Sequence, residues 1–262
     1  MKKTLLALTL SCASILSFSA HADAVGLYIG GQVWDNAASG VFGESSDMVD
    51  FNLSDEQQGS YFIAIEHPFP FIPNVKLSST DLETSGSTLL GSNFEFGGED
   101  FASGSQASAD FDLSYIDYTL YYELFDNGLF SFDVGLTARD FDGDISVSST
   151  MQSTDPDGNP ISETLTGSES ISEIVPMLYA YTNIGLPLTG LNFFAEGNFL
   201  SFDDHMMYDY QAGISYELVD NLAIDVNVTA GYRAMKLELE DLDELYTDLE
   251  FDGLFAGVVV HF

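Results

Sequence analysis

The sequence predicts an all-β protein, a transmembrane antiparallel up-and-down β-barrel of about ten strands, with eight as the alternative count. Three observations carry this. Segment after segment alternates apolar and polar residues with a period of two. The links between segments alternate between long polar stretches and tight turns. The final segment presents an apolar face that ends on Phe262.

The first residues predict a signal. Met1-Lys2-Lys3 is basic, Thr4 to Ser19 is apolar, and Ala20-His21-Ala22 has the small-x-small form that precedes cleavage. Residues 1–22 are therefore expected to be a signal peptide and 23–262 the barrel domain. Cys12 lies inside the apolar stretch without a leucine three residues earlier, which argues against a lipoprotein. Removing 1–22 takes away Lys2 and Lys3, leaving Lys76, Arg139, Arg233 and Lys236 against 42 acids, so the net charge moves from −36 to −38. Such acidity excludes binding to phosphate backbones, so no nucleic-acid partner is expected. The 45% hydrophobic and 13% aromatic content sets the chain apart from acidic disordered proteins. Beyond the signal there is no apolar run long enough for a membrane helix.

Ten segments follow, at 24–34, 58–66, 75–83, 111–123, 128–140, 171–184, 191–202, 206–217, 222–239 and 249–262. The alternation is clearest in 206–217, where Tyr208, Tyr210, Ala212, Ile214 and Tyr216 oppose Asp209, Gln211, Gly213, Ser215 and Glu217. Segments 75–83 and 171–184 alternate least, and the second contains Pro176; without them the count falls to eight. Long links are expected at 35–57, 84–110 and 141–170, with shorter acidic ones at 203–205 and 240–248. Tight turns fall at 125–128, 186–190 and 219–221, beside the proline-punctuated 67–74. In outer-membrane barrels short turns face the periplasm and longer loops face outside.

Alternation alone does not say which face meets lipid. Outward aromatics near strand ends, the two-sided loop lengths and the terminal face of Leu254, Ala256, Val258, Val260 and Phe262 favour lipid outside. Phe262 is expected to be the assembly signal read by the barrel-assembly machinery. The predicted location is the bacterial outer membrane, with its lipid and lipopolysaccharide as partners.

Four stretches, DAVGLYIGGQVW from Asp23 to Trp34, EHPFPFIPN from Glu66 to Asn74, DLSYIDYTLYYELFDN from Asp112 to Asn127 and DVGLT from Asp133 to Thr137, resemble a family of outer-membrane β-barrel proteins of marine gammaproteobacteria. The resemblance spans most of the chain beyond 22 and implies a membrane barrel. It supplies no catalytic or binding residues.

Chemistry is sparse. His67, His205 and His261 are the candidate bases, and Asp203-Asp204-His205 resembles half of an omptin-type protease site, but a second acid pair and a lipopolysaccharide-binding basic patch are lacking. Asp155-Pro156-Asp157-Gly158-Asn159 has a fragment of calcium-loop spacing that reads equally as a turn. No catalytic residues, resident metal or cofactor are expected; divalent cations are expected only at the acidic loops. The lumen is more informative. Counting residues from the turns places Arg139 and Arg233 at one depth on inward faces, Asp209 near that level, and Asp117, Glu196 and Asp225 deeper. Arg–carboxylate pairing across the upper lumen is the expectation, because an unpaired desolvated charge is costly. The sequence thus predicts a structural or interaction barrel with acidic extracellular loops. A small cation-preferring channel or ligand-uptake barrel is the alternative, and an outer-membrane hydrolase comes third.

Overall fold

A computed structural model describes residues 25–262 apart from 46, 155, 156, 158, 203, 204, 222, 243 and 244. The expected signal segment 1–22 lies outside the described residues. Fourteen strands are described: β1 (Gly26–Gly43), β2 (Glu56–Glu66), β3 (Asn74–Thr80), β4 (Glu83–Leu89), β5 (Phe94–Phe96), β6 (Glu99–Phe101), β7 (Gln106–Asp112), β8 (Tyr115–Asp126), β9 (Phe130–Thr154), β10 (Pro160–Leu186), β11 (Leu191–Phe202), β12 (His205–Asn221), β13 (Ile224–Leu242) and β14 (Leu245–His261). Ten of them close a ring in the order β1-β2-β3-β8-β9-β10-β11-β12-β13-β14, and β14 returns antiparallel to β1. The ring strands coincide with the ten expected segments, so ten is the count and eight is not. Both weakly alternating segments are strands. Pro176 is tolerated because β10 pairs with β11 only from Leu178 onward, so the proline stands where β10 has become an edge on that side.

Closure follows from alternation. On β1, Trp34, Asn36, Ala38 and Phe42 are buried inside, while Ile29 and Val33 are exposed outside. Further up that outer face the residues become Asp35 and Ser39, so the apolar exterior ends there. The same exterior carries Tyr61, Ile63 and Ile65 on β2, Tyr118, Leu120 and Tyr122 on β8, and Leu254 and Val258 on β14, all exposed. A ring with every backbone group paired to a neighbouring strand is the form in which a sheet satisfies itself inside hydrocarbon. The chain end is held in this ring: Phe262 N–H donates to the Leu27 carbonyl at 2.9 Å.

The long links behave differently from the sequence expectation. Much of 141–170 is strand, because β9 and β10 continue as one hairpin paired from Pro160↔Thr154 to Ile184↔Phe130. The 240–248 link shrinks similarly, since β13 and β14 run on to Leu242 and Leu245. Strands leaving lipid need no apolar outer face, so alternation fades while the hydrogen-bond ladder continues.

The 84–110 link is also folded. It forms β4, the β5–β6 hairpin and β7, and β7 pairs with β9 above the end of β8. The segment 51–54 covers the free edge of β4: Ser54 N–H donates to Ser85 O at 2.8 Å, and Gly86 leaves no room for a Cβ beneath Phe51 O. Phe94, Phe96, Phe101, Phe111 and Leu113 of this insertion pack with Trp34, Phe42, Phe51, Phe141, Ile145, Leu249 and Phe251 into one buried apolar cluster. The Phe42 ring meets Phe96 edge-on at 5.4 Å and Phe111 at 4.7 Å. The loop end of the ring is therefore filled by side chains.

Candidate functional site

Beneath this apolar cluster lies a layer of charge that crosses the lumen. Asp117 on β8 and Arg139 on β9 stand directly opposite each other. Arg139 donates from Nε and Nη2 to the two carboxylate oxygens of Asp117, both at 2.8 Å. The same Nη2 reaches across to Oδ2 of Asp209 on β12 at 2.8 Å. Arg233 on β13 donates from Nε and Nη2 to Asp209 at 2.9 and 2.8 Å. Tyr115 Oη accepts from Arg233 at 2.7 Å and donates to Asp209 at 2.7 Å. The guanidinium carbon of Arg139 lies 3.7 Å from the centre of the Tyr115 ring, and that of Arg233 4.7 Å from Trp34. Two cations meet two carboxylates, so the layer is neutral. Arg139 is fully buried and the other three are nearly so. Burial of these four groups is tolerable only because the pairing is bidentate and shared.

Of the residues expected in the lumen, Arg139, Arg233 and Asp209 share this layer. Asp117 is a correction: it belongs in the layer and not deeper. Asp117 and Arg139 each lie eleven residues from Gly128 in the β8–β9 turn, so a hairpin places them level. Glu196 and Asp225 do lie nearer the turn end, but neither touches an arginine. Glu196 is bound by Lys76 Nζ from β3 across the lumen and accepts from Gln211 Nε2 at 3.1 Å, and Gln211 in turn accepts from Gln32 at 3.1 Å. Asp225 pairs with His261 Nδ1 at 3.2 Å, and the His261 ring stacks on Tyr28 at 4.2 Å. Tyr115 and Lys76 were not foreseen. The signal for Tyr115 was its inward position two residues before Asp117; Lys76 stood on the weakly alternating β3.

Between the arginine layer and Lys76–Glu196 is a cavity of about 70 Å³, lined by Ser78, Thr80, Asn198 and Gln211 among others. Towards the turns the lumen widens into a second cavity of about 360 Å³, walled by tyrosines and carboxylates. The other histidines serve local structure. His67 Nδ1 accepts from Phe69 N–H at 3.3 Å inside the proline turn, and His205 Nδ1 accepts from Glu240 N–H at 3.3 Å at the loop end. Asp203 and Asp204 lie outside the described residues, as do positions 155, 156 and 158 of the calcium-like fragment. Among the described residues no group of three or more His, Cys, Asp or Glu is arranged to hold a metal ion.

An apolar belt of Tyr, Phe, Leu, Ile and Val surrounds a polar interior and a closed ring. The chain is an outer-membrane β-barrel. No protein-family model matches it, and no curated protein matches it significantly. Among solved structures it is similar to the outer membrane protease OmpT from Escherichia coli, at 10% identity over 95% of this chain and 99% of that one, with a TM-score of 0.35. It is also similar to the Pseudomonas putida toluene transporter TodX, at 7% identity over 91% and 89%, TM-score 0.29. The transport unit of the Escherichia coli autotransporter AIDA-I aligns at 11% identity over 97% and 96%, TM-score 0.32. Likeness at this level says nothing about what this barrel does.

Proposed function

We propose that this barrel is sealed and serves a structural or interaction role at the outer membrane, without catalysis. One observation carries the reading: the loop half of the lumen is occupied by its own apolar side chains, with the buried arginine layer directly beneath. A pore needs a continuous polar path. An enzyme of the omptin kind needs acids and a base around an open cleft, and His205 is engaged with the backbone of Glu240. The segments 35–57, 84–110 and 141–170 carry acids and no Lys or Arg, and the reading places them outside, in contact with lipopolysaccharide through divalent cations. Membership of the marine gammaproteobacterial barrel family and recognition of Phe262 by the assembly machinery belong to the same reading.

Refolded protein in a planar bilayer should show no conductance steps. Regular cation-selective steps from wild type would replace this reading with the small-channel alternative, which the wide cavity at the turn end favours. Orientation has its own check. A bulky thiol label on intact cells should reach cysteines introduced at Ser92 or Asn159 and spare one introduced at Phe71 in the proline turn. Labelling at 71 with protection at 92 and 159 would turn the barrel over.

A further inference from the structure

The cavity at the turn end contains more negative charge than the chain neutralises. Six carboxylates line it. Glu196 is paired with Lys76, and Asp225 with His261. Glu66, Glu123, Asp126 and Asp133 form no ion pair among the described residues. Glu123 and Asp133 are direct cross-strand partners on β8 and β9, an arrangement in which like charges repel. Asp133 is 5% exposed, and its Oδ1 is buried with no hydrogen-bond partner. A desolvated carboxylate oxygen without a donor is costly, and Asp133 is part of the cavity wall.

The same cavity is walled by Tyr28, Tyr121, Tyr179 and Tyr181. The chain's own ammonium group shows how such walls hold a cation: Lys76 Nζ sits 4.6 Å from the Phe62 ring centre and 5.9 Å from that of Tyr179 while it binds Glu196. Among the described residues it forms an ion pair with Glu196 and none with the β8–β9 carboxylates. A compact metal ion fits poorly, because no three carboxylates or histidines among the described residues converge to ligating distance. A cation with separated charges and an apolar spacer fits well. Its ammonium groups would bond to dispersed carboxylates and its methylenes would lie on the tyrosine faces.

We propose that this cavity is a binding site for small organic ammonium ions, with linear diamines as the best-matched class, entered from the turn end and anchored on Asp133 and Glu123. The proposal goes beyond the sealed-barrel reading and does not rest on it, since a site open only at the turn end can be filled whether or not current crosses the barrel.

Full-length barrel refolded in detergent is titrated calorimetrically with 1,4-diaminobutane, with 1,4-butanediol and calcium chloride as parallel ligands. The expected result is saturable 1:1 binding of the diamine and none of the diol. Asp133→Asn and Glu123→Gln should each weaken the diamine by about tenfold, the worth of one charge-assisted contact. Asp248→Asn at the loop end, which removes the same charge, should leave binding unchanged. Each variant is first checked for the heat-dependent gel shift of a folded barrel; should Asp133→Asn fail to fold, Glu123→Gln and Tyr181→Leu carry the test. Absence of saturable diamine binding overturns the proposal. So does equal weakening by Asp248→Asn, which means diffuse charge, or displacement of the diamine by equimolar calcium, which means a metal site.

Discussion

Asp209→Ala should lower the stability of the refolded barrel by about 3–5 kcal/mol, the usual consequence of removing one partner from a buried ion pair. Asp209 accepts from Arg139, Arg233 and Tyr115 at once. Its loss leaves Arg233 buried with no carboxylate, and leaves Arg139 Nη2 with Asp117 alone. Arg139→Ala combined with Arg233→Ala should be comparably severe from the opposite side, because Asp117 and Asp209 would then be buried without a cation. It should also open measurable conductance if the layer completes the seal. Lys236→Ala is the control. That lysine bridges Glu238 and Asp248 at the partly exposed rim, at 2.9 and 3.2 Å, and such pairs contribute about 0–1 kcal/mol. Urea unfolding in lipid vesicles, followed by circular dichroism, reads all three. Wild-type midpoints for both arginine-layer variants would remove the layer from any account of stability.

Gly167→Val should unseat the β5–β6 hairpin from the mouth of the barrel. A Cβ at Gly167 would fall 1.9 Å from the Phe96 carbonyl oxygen, and one at Gly97 2.1 Å from the Ser168 nitrogen. Both obstacles are backbone, so no side-chain rotation relieves them. The hairpin must lift, and Phe96, now fully buried, would reach water. That exposure alone costs roughly 2–3 kcal/mol. Limited proteolysis should cut within 91–104 in the variant and spare wild type. Gly91→Ala, where a Cβ meets nothing within 4 Å, should behave as wild type. Equal resistance of Gly167→Val would mean that the insertion is held by something other than this close approach.

The ten ring strands were legible because lipid imposes a strict rule on them: every second residue must be apolar over a fixed span, and Tyr208 to Tyr216 obey it visibly. Where the strands leave lipid that rule lapses. Ser146, Ser148 and Ser149 on β9 read as loop, although Ile145 and Val147 kept an inward apolar face that could have been noticed. The insertion was hidden by its Gly and Ser content. Phe94 and Phe96, spaced by two and both buried, were one strand-like signal, and Ala107, Ala109 and Phe111 alternating with Ser108, Asp110 and Asp112 were another. Depth counting from the turns found the level of Arg139, Arg233 and Asp209, because antiparallel hairpins keep residues equidistant from a turn level. It misplaced Asp117 by not applying that symmetry across Gly128. Contacts across the lumen, such as Lys76 with Glu196, depend on ring closure and leave no local trace.

The β9–β10 hairpin has a further consequence. Inside the membrane every strand of the ring has two neighbours, yet from Pro160 to Met177 β10 is paired only with β9. A closed cylinder thus carries an open margin above it, a row of main-chain donors and acceptors facing water. Margins of this kind accept added strands from other chains. Glu163, Glu169 and Glu173 stand exposed along it, and Pro160 and Pro176 bracket it. At low ionic strength their charge holds like chains apart; screening within about a Debye length, near 8 Å at physiological salt, lets them approach. That edge, lined by carboxylates, is where salt would govern contact between one copy of this barrel and another.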